Sequence, residues 1–504
     1  MRYVLSLRGL LIASILMLTA CGQGTEQARQ AEHAGDPAAK DSQHTTIAIT
    51  TGSEEALSRY RSGQKLLDGL HFTDANAAFK AAVEADPEFA MGHLMVAFTA
   101  LTNSEYFAAL ERAEHTADKV TEGEQLWIQS ALAQAANDPG LQEEILEELV
   151  GKFPNDPRSL FRYGNFFNGQ QDFELAIEQY NRAVAADPKF APAYNAMGYA
   201  FRSIDNLEAA AGAFESYVEA LPNEANPLDS YAELLLEQGD LTGAIKNYRK
   251  AIAIEPNFPS AYTGILIAQS LQGKSDAAMA TAQQMLSIAR NFSERQGALF
   301  RIATVNIMAG DNEAAVRNCE TMAANATEEG NHAALGNIHE YMGDIYVHAS
   351  DAGRAAEHFD LALDHRYQSD SNDAAKAAAE RAHVYKMALV AMVADDTETA
   401  ANLTAEYTAA AEARGNAFEK RRIHALKGFL AMIQDDMALG AKHLSKANQF
   451  NPAVVYWRGV AEAELGNTDK AVDLITRTAT RNVLHPQFPM MQDEALTMLE
   501  KLAT

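Results

Sequence analysis

Residues 154–222 read PNDPRSLFRYGNFFNGQQDFELAIEQYNRAVAADPKFAPAYNAMGYAFRSIDNLEAAAGAFESYVEALP, and this stretch carries one pattern twice. Prolines and alanines return in it, and beyond it, at a constant interval of 34 residues. The prolines are Pro154, Pro188, Pro222 and Pro256, and the alanines are Ala176, Ala210, Ala244 and Ala278. A fixed period of this length indicates a repeat architecture, in which each unit buries its apolar face against the next unit.

Other residues keep fixed places within this period. Gly164 and Gly198 share one place, and the rings of Tyr180, Phe214 and Tyr248 share another. The pattern resembles the tetratricopeptide repeat (TPR), in which a small residue lets the first helix (helix A) approach the second (helix B) and a ring fills the gap. The resemblance implies an all-α fold, a TPR solenoid whose helix-turn-helix units stack into a right-handed superhelix.

The same phase continues over most of the 504 residues and gives about twelve units. We expect N-terminal TPR-like units in 53–156, a regular array in 157–292, and units with longer helices in 293–480. Residues 481–504 contain two prolines and then an apolar pattern with helical spacing. A solenoid needs an end that covers its last apolar face, so this stretch is predicted to form a capping helix.

The first twenty residues predict an export signal. Two arginines precede an apolar run from Gly9 to Leu18, which is too short to cross a bilayer as a mature helix. The run ends in Leu18-Thr19-Ala20-Cys21-Gly22, which resembles the lipobox of bacterial lipoproteins. The alternative is an ordinary cleaved signal beside an incidental cysteine.

The lipobox resemblance implies that residues 1–20 are removed and that Cys21 is acylated. In that family Gly22, rather than an acid, favours the outer membrane, so we expect a protein anchored there that faces the periplasm of a Gram-negative envelope. The anchor would be the protein's only attachment to the membrane. The polar residues that follow predict a flexible tether, so that 21–52 would comprise the acylated cysteine and this tether.

Composition excludes several classes of function. The chain has 68 acidic and 41 basic residues and a net charge of −27, without a compensating basic block, which argues against nucleic-acid binding. A partner that carries basic residues would suit this charge. Two cysteines exclude a disulfide framework. Cys319 falls at the ring position of a helix B, where we expect a buried, unreactive thiol.

The sequence contains no phosphate-binding, zinc-protease or nucleophile-elbow motif in a fitting context, so we expect neither an enzyme nor a cofactor. Five histidines crowd one short segment: His332, His339, His348, His358 and His365. Histidines that converge across helices could bind a transition metal. A small-ligand or metal-sensing solenoid that uses residues 332–365 is therefore the alternative function.

The TPR resemblance implies a concave groove lined by side chains of the A helices. In the most regular repeats these are ten side chains, here called the inner-face residues: Arg158, Phe161, Asn165, Asn168, Asn195, Tyr199, Arg202, Asn226, Asp229 and Glu233. Amides can pair with both N–H and C=O of an extended backbone, and rings can pack its side chains. We therefore predict a protein-interaction scaffold in the cell envelope, whose partners are envelope proteins or extended peptide segments. The competing interpretation is that these residues are only the polar lining that any solenoid needs.

Overall fold

The computed structural model describes residues 46–100, 103–136, 138–369, 373–414, 417–481 and 484–503. In these ranges the chain forms twenty-five α-helices and one 3-10 turn at Ala117–Lys119, and it forms no β-strand. The helices belong to two compact units, one that ends at Leu234 and one that begins at Leu235. We call them the N-terminal unit and the C-terminal unit. The boundary between them falls within α11.

The first eleven helices have these bounds: α1 Glu54–Asp68, α2 Phe72–Ala85, α3 Ala90–Phe98, α4 Asn103–His115, α5 Glu122–Ala135, α6 Pro139–Lys152, α7 Pro157–Gln170, α8 Phe173–Ala186, α9 Ala191–Ser203, α10 Leu207–Ala220 and α11 Ala225–Glu237. The other fourteen have these bounds: α12 Leu241–Ile254, α13 Pro259–Leu271, α14 Ser275–Ser287, α15 Phe292–Met308, α16 Asn312–Glu328, α17 His332–His348, α18 Ala352–Gln368, α19 Asp373–Val393, α20 Thr397–Glu412, α21 Ala417–Ile433, α22 Met437–Leu444, α23 Pro452–Glu464, α24 Thr468–Thr480 and α25 Phe488–Leu502.

The first twenty-four of these helices make twelve successive pairs, in which odd-numbered helices are A helices and even-numbered helices are B helices. α25 follows the last pair. This confirms the predicted all-α TPR solenoid, its approximate number of units and the helix at its end. The helices lengthen where the period loosens: α7 to α14 have 13 or 14 residues, whereas α15 to α21 have 16 to 21.

The 34-residue period has a direct physical cause in the packing of helix A on helix B. A Cβ atom at Gly198 would lie 2.5 Å from the ring of Phe214, and one at Gly164 would lie 2.5 Å from the ring of Tyr180. Both rings are fully buried, and so is Ala210. In these two repeats helix A therefore has glycine at this place, because the ring from helix B occupies the space where a side chain would be.

The extended segment before α1 is attached to the N-terminal unit. The Ile47 N–H donates to Asp156 Oδ2 at 3.2 Å, the same carboxylate that caps α7 through Ser159. Thr50 donates to Glu124 through its N–H at 2.7 Å and through its hydroxyl at 2.6 Å. Ile47 also packs against the hydrophobic core. The predicted tether, 21–52, is therefore wrong at its end, where alternating apolar residues bind the helices.

The C-terminal helix covers more of the C-terminal unit than the last pair. α25 packs against α23 and α24, and it also lies against α15. Its Phe488, Met490 and Met491 are buried, and Glu494 Oε1 lies 3.4 Å from His348 Nε2 at the end of α17. Since α15, α17 and α23 are all A helices, α25 occupies part of the A-helix face of its own unit.

Candidate protein-interaction surface

The ten inner-face residues lie on three successive A helices, α7, α9 and α11. α7 contacts α9 directly. From α9, Arg202 Nη1 lies 3.1 Å from Glu233 Oε2 on α11, and the Tyr199 hydroxyl lies 3.2 Å from both Ser230 Oγ and Glu233 Oε2. Asp229 is almost fully buried. The structure thus joins Tyr199 and Arg202 of α9 to Glu233 of α11 in one hydrogen-bonded group.

Arg158 is engaged within the chain. Its guanidinium donates to both carboxylate oxygens of Asp68, at the end of α1, over 2.9 and 2.6 Å. Burial acts to lower the pKa of Arg158, but the bonds to Asp68 outweigh it and hold the pKa above the ordinary value. A second contact joins His71 and Glu224 over 2.9 Å. The turn between α1 and α2 thus reaches the starts of α7 and α11.

The two inner-face rings are part of the packing between helices. The Phe161 ring lies 5.7 Å from that of Tyr180 and 5.5 Å from that of Phe190. The Tyr199 ring stands edge-on to Phe214 at 5.2 Å, and burial raises the pKa of the Tyr199 phenol. These rings therefore support the fold as well as the surface, and truncation of either ring would also lower stability.

The four inner-face asparagines differ in what their side chains do. Asn165 Oδ1 accepts a hydrogen bond from the Tyr180 hydroxyl at 2.8 Å, and Asn226 Oδ1 accepts one from the Tyr217 hydroxyl at 3.1 Å. Both amides thus orient a tyrosine of helix B. Asn195 Oδ1 is buried and has no partner among the described residues. Asn168, like Asn165, is exposed.

Arg162, which the repeat pattern does not place among the inner-face residues, lies on the same helix as Phe161. Its Nε donates to Ser130 Oγ at 2.8 Å, and its guanidinium lies 4.5 Å from the ring centre of Phe98 and 5.6 Å from that of Trp127. Its Nη2 is buried without a partner in the part of the chain that the structure describes. Burial lowers the pKa of Arg162 to about 10. The sequence feature that could have identified Arg162 is the presence of two arginines, at 158 and 162, one helical turn apart in an acidic chain.

The crowded histidines form pairs across α17 and α18. Nδ1 of His332 lies 3.1 Å from Nδ1 of His365, and Nδ1 of His339 lies 3.0 Å from Nδ1 of His358. Burial is the main cause that lowers the pKa of His339 to about 4, and repulsion from His358 and His365 contributes less. His348 lies apart from them, beside Glu494. Within the described ranges no group of three or more potential ligands could hold a metal ion, so the metal-sensing alternative is not favoured.

Buried charges elsewhere on the A helices are engaged in ion pairs. Lys386 Nζ lies 2.6 Å from Asp344 Oδ1 and 3.4 Å from Glu340 Oε1. Burial raises the pKa of Asp344 to about 7. These three residues form an ion-paired cluster between α17 and α19.

Cys319 is fully buried, and burial raises the pKa of its thiol to about 12, as expected of an unreactive cysteine.

Two of the predicted features lie outside the described residues, namely the signal peptide and the acylation site Cys21. Among the helices that the structure describes, none combines the length and the apolar character that crossing a membrane requires.

Comparison with known proteins identifies the repeat. The TPR repeat family model matches residues 164–203 and 232–273. A stretch of 100 residues is 32% identical to the cell division cycle protein 27 homolog of Caenorhabditis elegans, which is 20% of this chain and 13% of that protein. The chain thus matches only a small part of that relative.

Two solved structures are also similar in part. A tetratricopeptide repeat protein from Parabacteroides merdae is 17% identical and matches 53% of this chain and 98% of its own, with a TM-score of 0.39. Pseudomonas aeruginosa pilF is 16% identical over 48% of this chain and 96% of its own, with a TM-score of 0.29. The family-model match and the helix pairs together show that the chain contains TPR repeats.

Proposed function

We propose that the protein is a non-catalytic scaffold that binds an extended segment of a partner polypeptide along the A helices of the N-terminal unit. The observation that carries the proposal is a pair of buried polar groups without partners, Asn195 Oδ1 and Arg162 Nη2. An unsatisfied buried donor or acceptor costs about 1–3 kcal/mol. A bound segment that displaces the side chains covering these two atoms would remove this cost by offering a backbone N–H to Asn195 and a carboxylate to Arg162.

The exposed amides Asn165 and Asn168 would extend the same contact along α7. The oxygen of Asn165 already binds Tyr180, so its N–H groups are the atoms that face a ligand. Basic residues elsewhere in the partner would speed its encounter with a chain of net charge −27 at low salt.

We propose further that acylated Cys21 anchors this scaffold at the outer membrane, facing the periplasm. The support is the order of charges, apolar run and lipobox in residues 1–22. The partners would then be other envelope proteins.

Photo-crosslinking in intact cells tests the binding surface. A photoreactive amino acid at position 165 or 168 should capture the same polypeptide. The control is position 181, where Asn181 is an exposed asparagine of the B helix α8. Equal capture from position 181 would show that the inner face is not the site.

The variant Asn195→Leu tests whether the inner-face amides bind a partner or are only the polar lining of the solenoid. Leucine has nearly the shape of asparagine and leaves no unpaired oxygen, so the melting temperature should stay unchanged or rise. Capture from positions 165 and 168 should fall because the acceptor is gone. Undiminished capture would support the interpretation that the amides are only a polar lining.

A further inference from the structure

The C-terminal unit has a groove on its B-helix side. It lies between α12 and α14, has a volume of about 660 Å³, and is also lined by the last turn of α13. Ile245, Ala253 and Ala277 supply apolar surface, and Thr242, Gln269 and Gln272 supply polar groups. We call it the basic groove, because its other four lining residues are Lys246, Arg249, Lys250 and Lys274.

These four cations are exposed and lack acidic partners. Lys250 Nζ lies 3.5 Å from Asn247 Oδ1, and Lys274 Nζ donates to Gln272 Oε1 at 2.8 Å, so both contact neutral groups. Throughout the described ranges, none of the four forms a salt bridge with a carboxylate. Helix α12 itself contains no acidic residue. This is unusual in a chain where acidic residues outnumber basic ones by 68 to 41.

The spacing of the cations on α12 destabilises that helix. Lys246 stands three residues before Arg249 and four before Lys250, so all three share one face of α12. Like charges at these spacings destabilise a helix. A ligand with negative charge would relieve the repulsion, and the apolar surface between the cations would accept an apolar side chain.

We propose that the basic groove binds an acidic polypeptide segment that carries an apolar residue between its carboxylates. The proposal concerns a different surface from the inner face and does not depend on it. A phosphate polymer fits less well, since the chain's overall charge repels a long polyanion and such a ligand has no side chain for the apolar surface. A short acidic segment meets only the local positive charge.

The probe is a fluorescein-labelled twelve-residue peptide with the repeat Glu-Glu-Leu-Glu, and binding to the full chain is followed by fluorescence anisotropy at low salt. The test variant is Lys246→Glu with Arg249→Glu. The matched control is Lys420→Glu with Lys442→Glu, which alters two exposed cations of the same unit and changes the net charge equally. We expect at least tenfold weaker binding by the test variant and less than twofold change in the control, because charge reversal in the groove replaces attraction of the peptide with repulsion.

A second variant tests the apolar surface without altering any charge. Ala253 is exposed within the groove, so Ala253→Trp should fold normally and fill the space for the leucine side chain. Binding should weaken several-fold, and a peptide with glutamine in place of glutamate should not bind. Circular dichroism of each variant checks that the helices are retained.

Four results would overturn the proposal. One is no binding of the peptide by the wild type, and another is equal weakening in the test and control double variants. A third is binding of inorganic polyphosphate at least as tight as that of the peptide and insensitive to Ala253→Trp. The last is self-association of the chain in sedimentation that the Lys246→Glu, Arg249→Glu variant abolishes, since the occupant would then be a second copy.

Discussion

The close approach of helix A to helix B can be tested with two Gly→Ala substitutions in one repeat. Gly198 lies on α9, and Gly212 lies on α10. A Cβ atom at 198 would meet three ring carbons of Phe214 at 2.5, 2.7 and 2.7 Å, whereas one at 212 would meet nothing within 4 Å. Both substitutions improve helix propensity, so only the contact with the ring distinguishes them.

The expected magnitudes follow from these distances. Carbon atoms pack best at about 3.5–4.0 Å, so the Phe214 ring would have to move by about 1 Å inside a filled core. Overpacking of this kind lowers the free energy of unfolding by about 1–3 kcal/mol. Replacing a helical glycine with alanine raises it by about 1 kcal/mol through the better helix propensity of alanine. Gly212→Ala should therefore stabilise the protein slightly, and Gly198→Ala should be about 1–3 kcal/mol less stable than Gly212→Ala.

The assay is denaturation of the full chain, followed by far-ultraviolet circular dichroism, for the two single variants and the wild type. Phe214→Leu provides the second side of a double-mutant cycle. Because the smaller side chain leaves room at position 198, the two substitutions should couple favourably by about 0.5–3 kcal/mol. If Gly198→Ala is as stable as Gly212→Ala, or if no coupling is found, the ring does not limit the approach of the helices.

Three further predictions concern the anchor and the titration of buried groups. Cys21→Ser should move the protein from the membrane fraction to the soluble periplasm or leave it unprocessed, and mass spectrometry of the wild type should find acyl chains on Cys21; an unmodified Cys21 would contradict the proposed location. Burial raises the pKa of Glu494 from 4.5 to about 7, so the folded state keeps this proton longer than the unfolded state and stability should fall as pH rises from about 4.5 to 7. Melting temperatures of Glu494→Gln should decline less over that window, and an identical decline would refute the assignment. The pKa of His339, lowered from 6.5 to about 4, has the opposite effect, because the unfolded state takes up the proton first as pH falls from about 6.5 to 4. His339→Gln should accordingly lose less stability on acidification than the wild type, as thermal melts at pH 7 and pH 5 would show.

The fold could be predicted from the sequence because its determinants repeat locally. Gly198 and Phe214 are 16 residues apart, and the same pair recurs as Gly164 with Tyr180. One helix-turn-helix unit therefore shows the contact that defines it. The end of the tether could also have been identified, since the alternation in TTIAITT at 45–51 marks an extended segment with an apolar side.

The environment of the inner-face residues could not be predicted in the same way. The partner of Arg158 is Asp68, 90 residues earlier, and its position depends on how successive units rotate. The repeat pattern contains no information about that rotation. The histidine pairs could be predicted in part. The spacing of seven residues in both 332/339 and 358/365 fits two antiparallel helices and would have predicted which histidines pair. It would not have predicted how deeply His339 is buried.

The packing of α25 against α15 has a consequence for folding. In a simple repeat array each unit contacts only its neighbours, so opening can begin locally and stop after one unit. Here residues 488–502 lie against residues 292–308, and the contact closes a loop that contains most of the C-terminal unit. Closing such a loop carries an entropy cost before the contact forms, which slows folding and makes it more cooperative. Removal of α25 should therefore loosen α15 as well as α24, and hydrogen exchange would detect that change far from the deleted end.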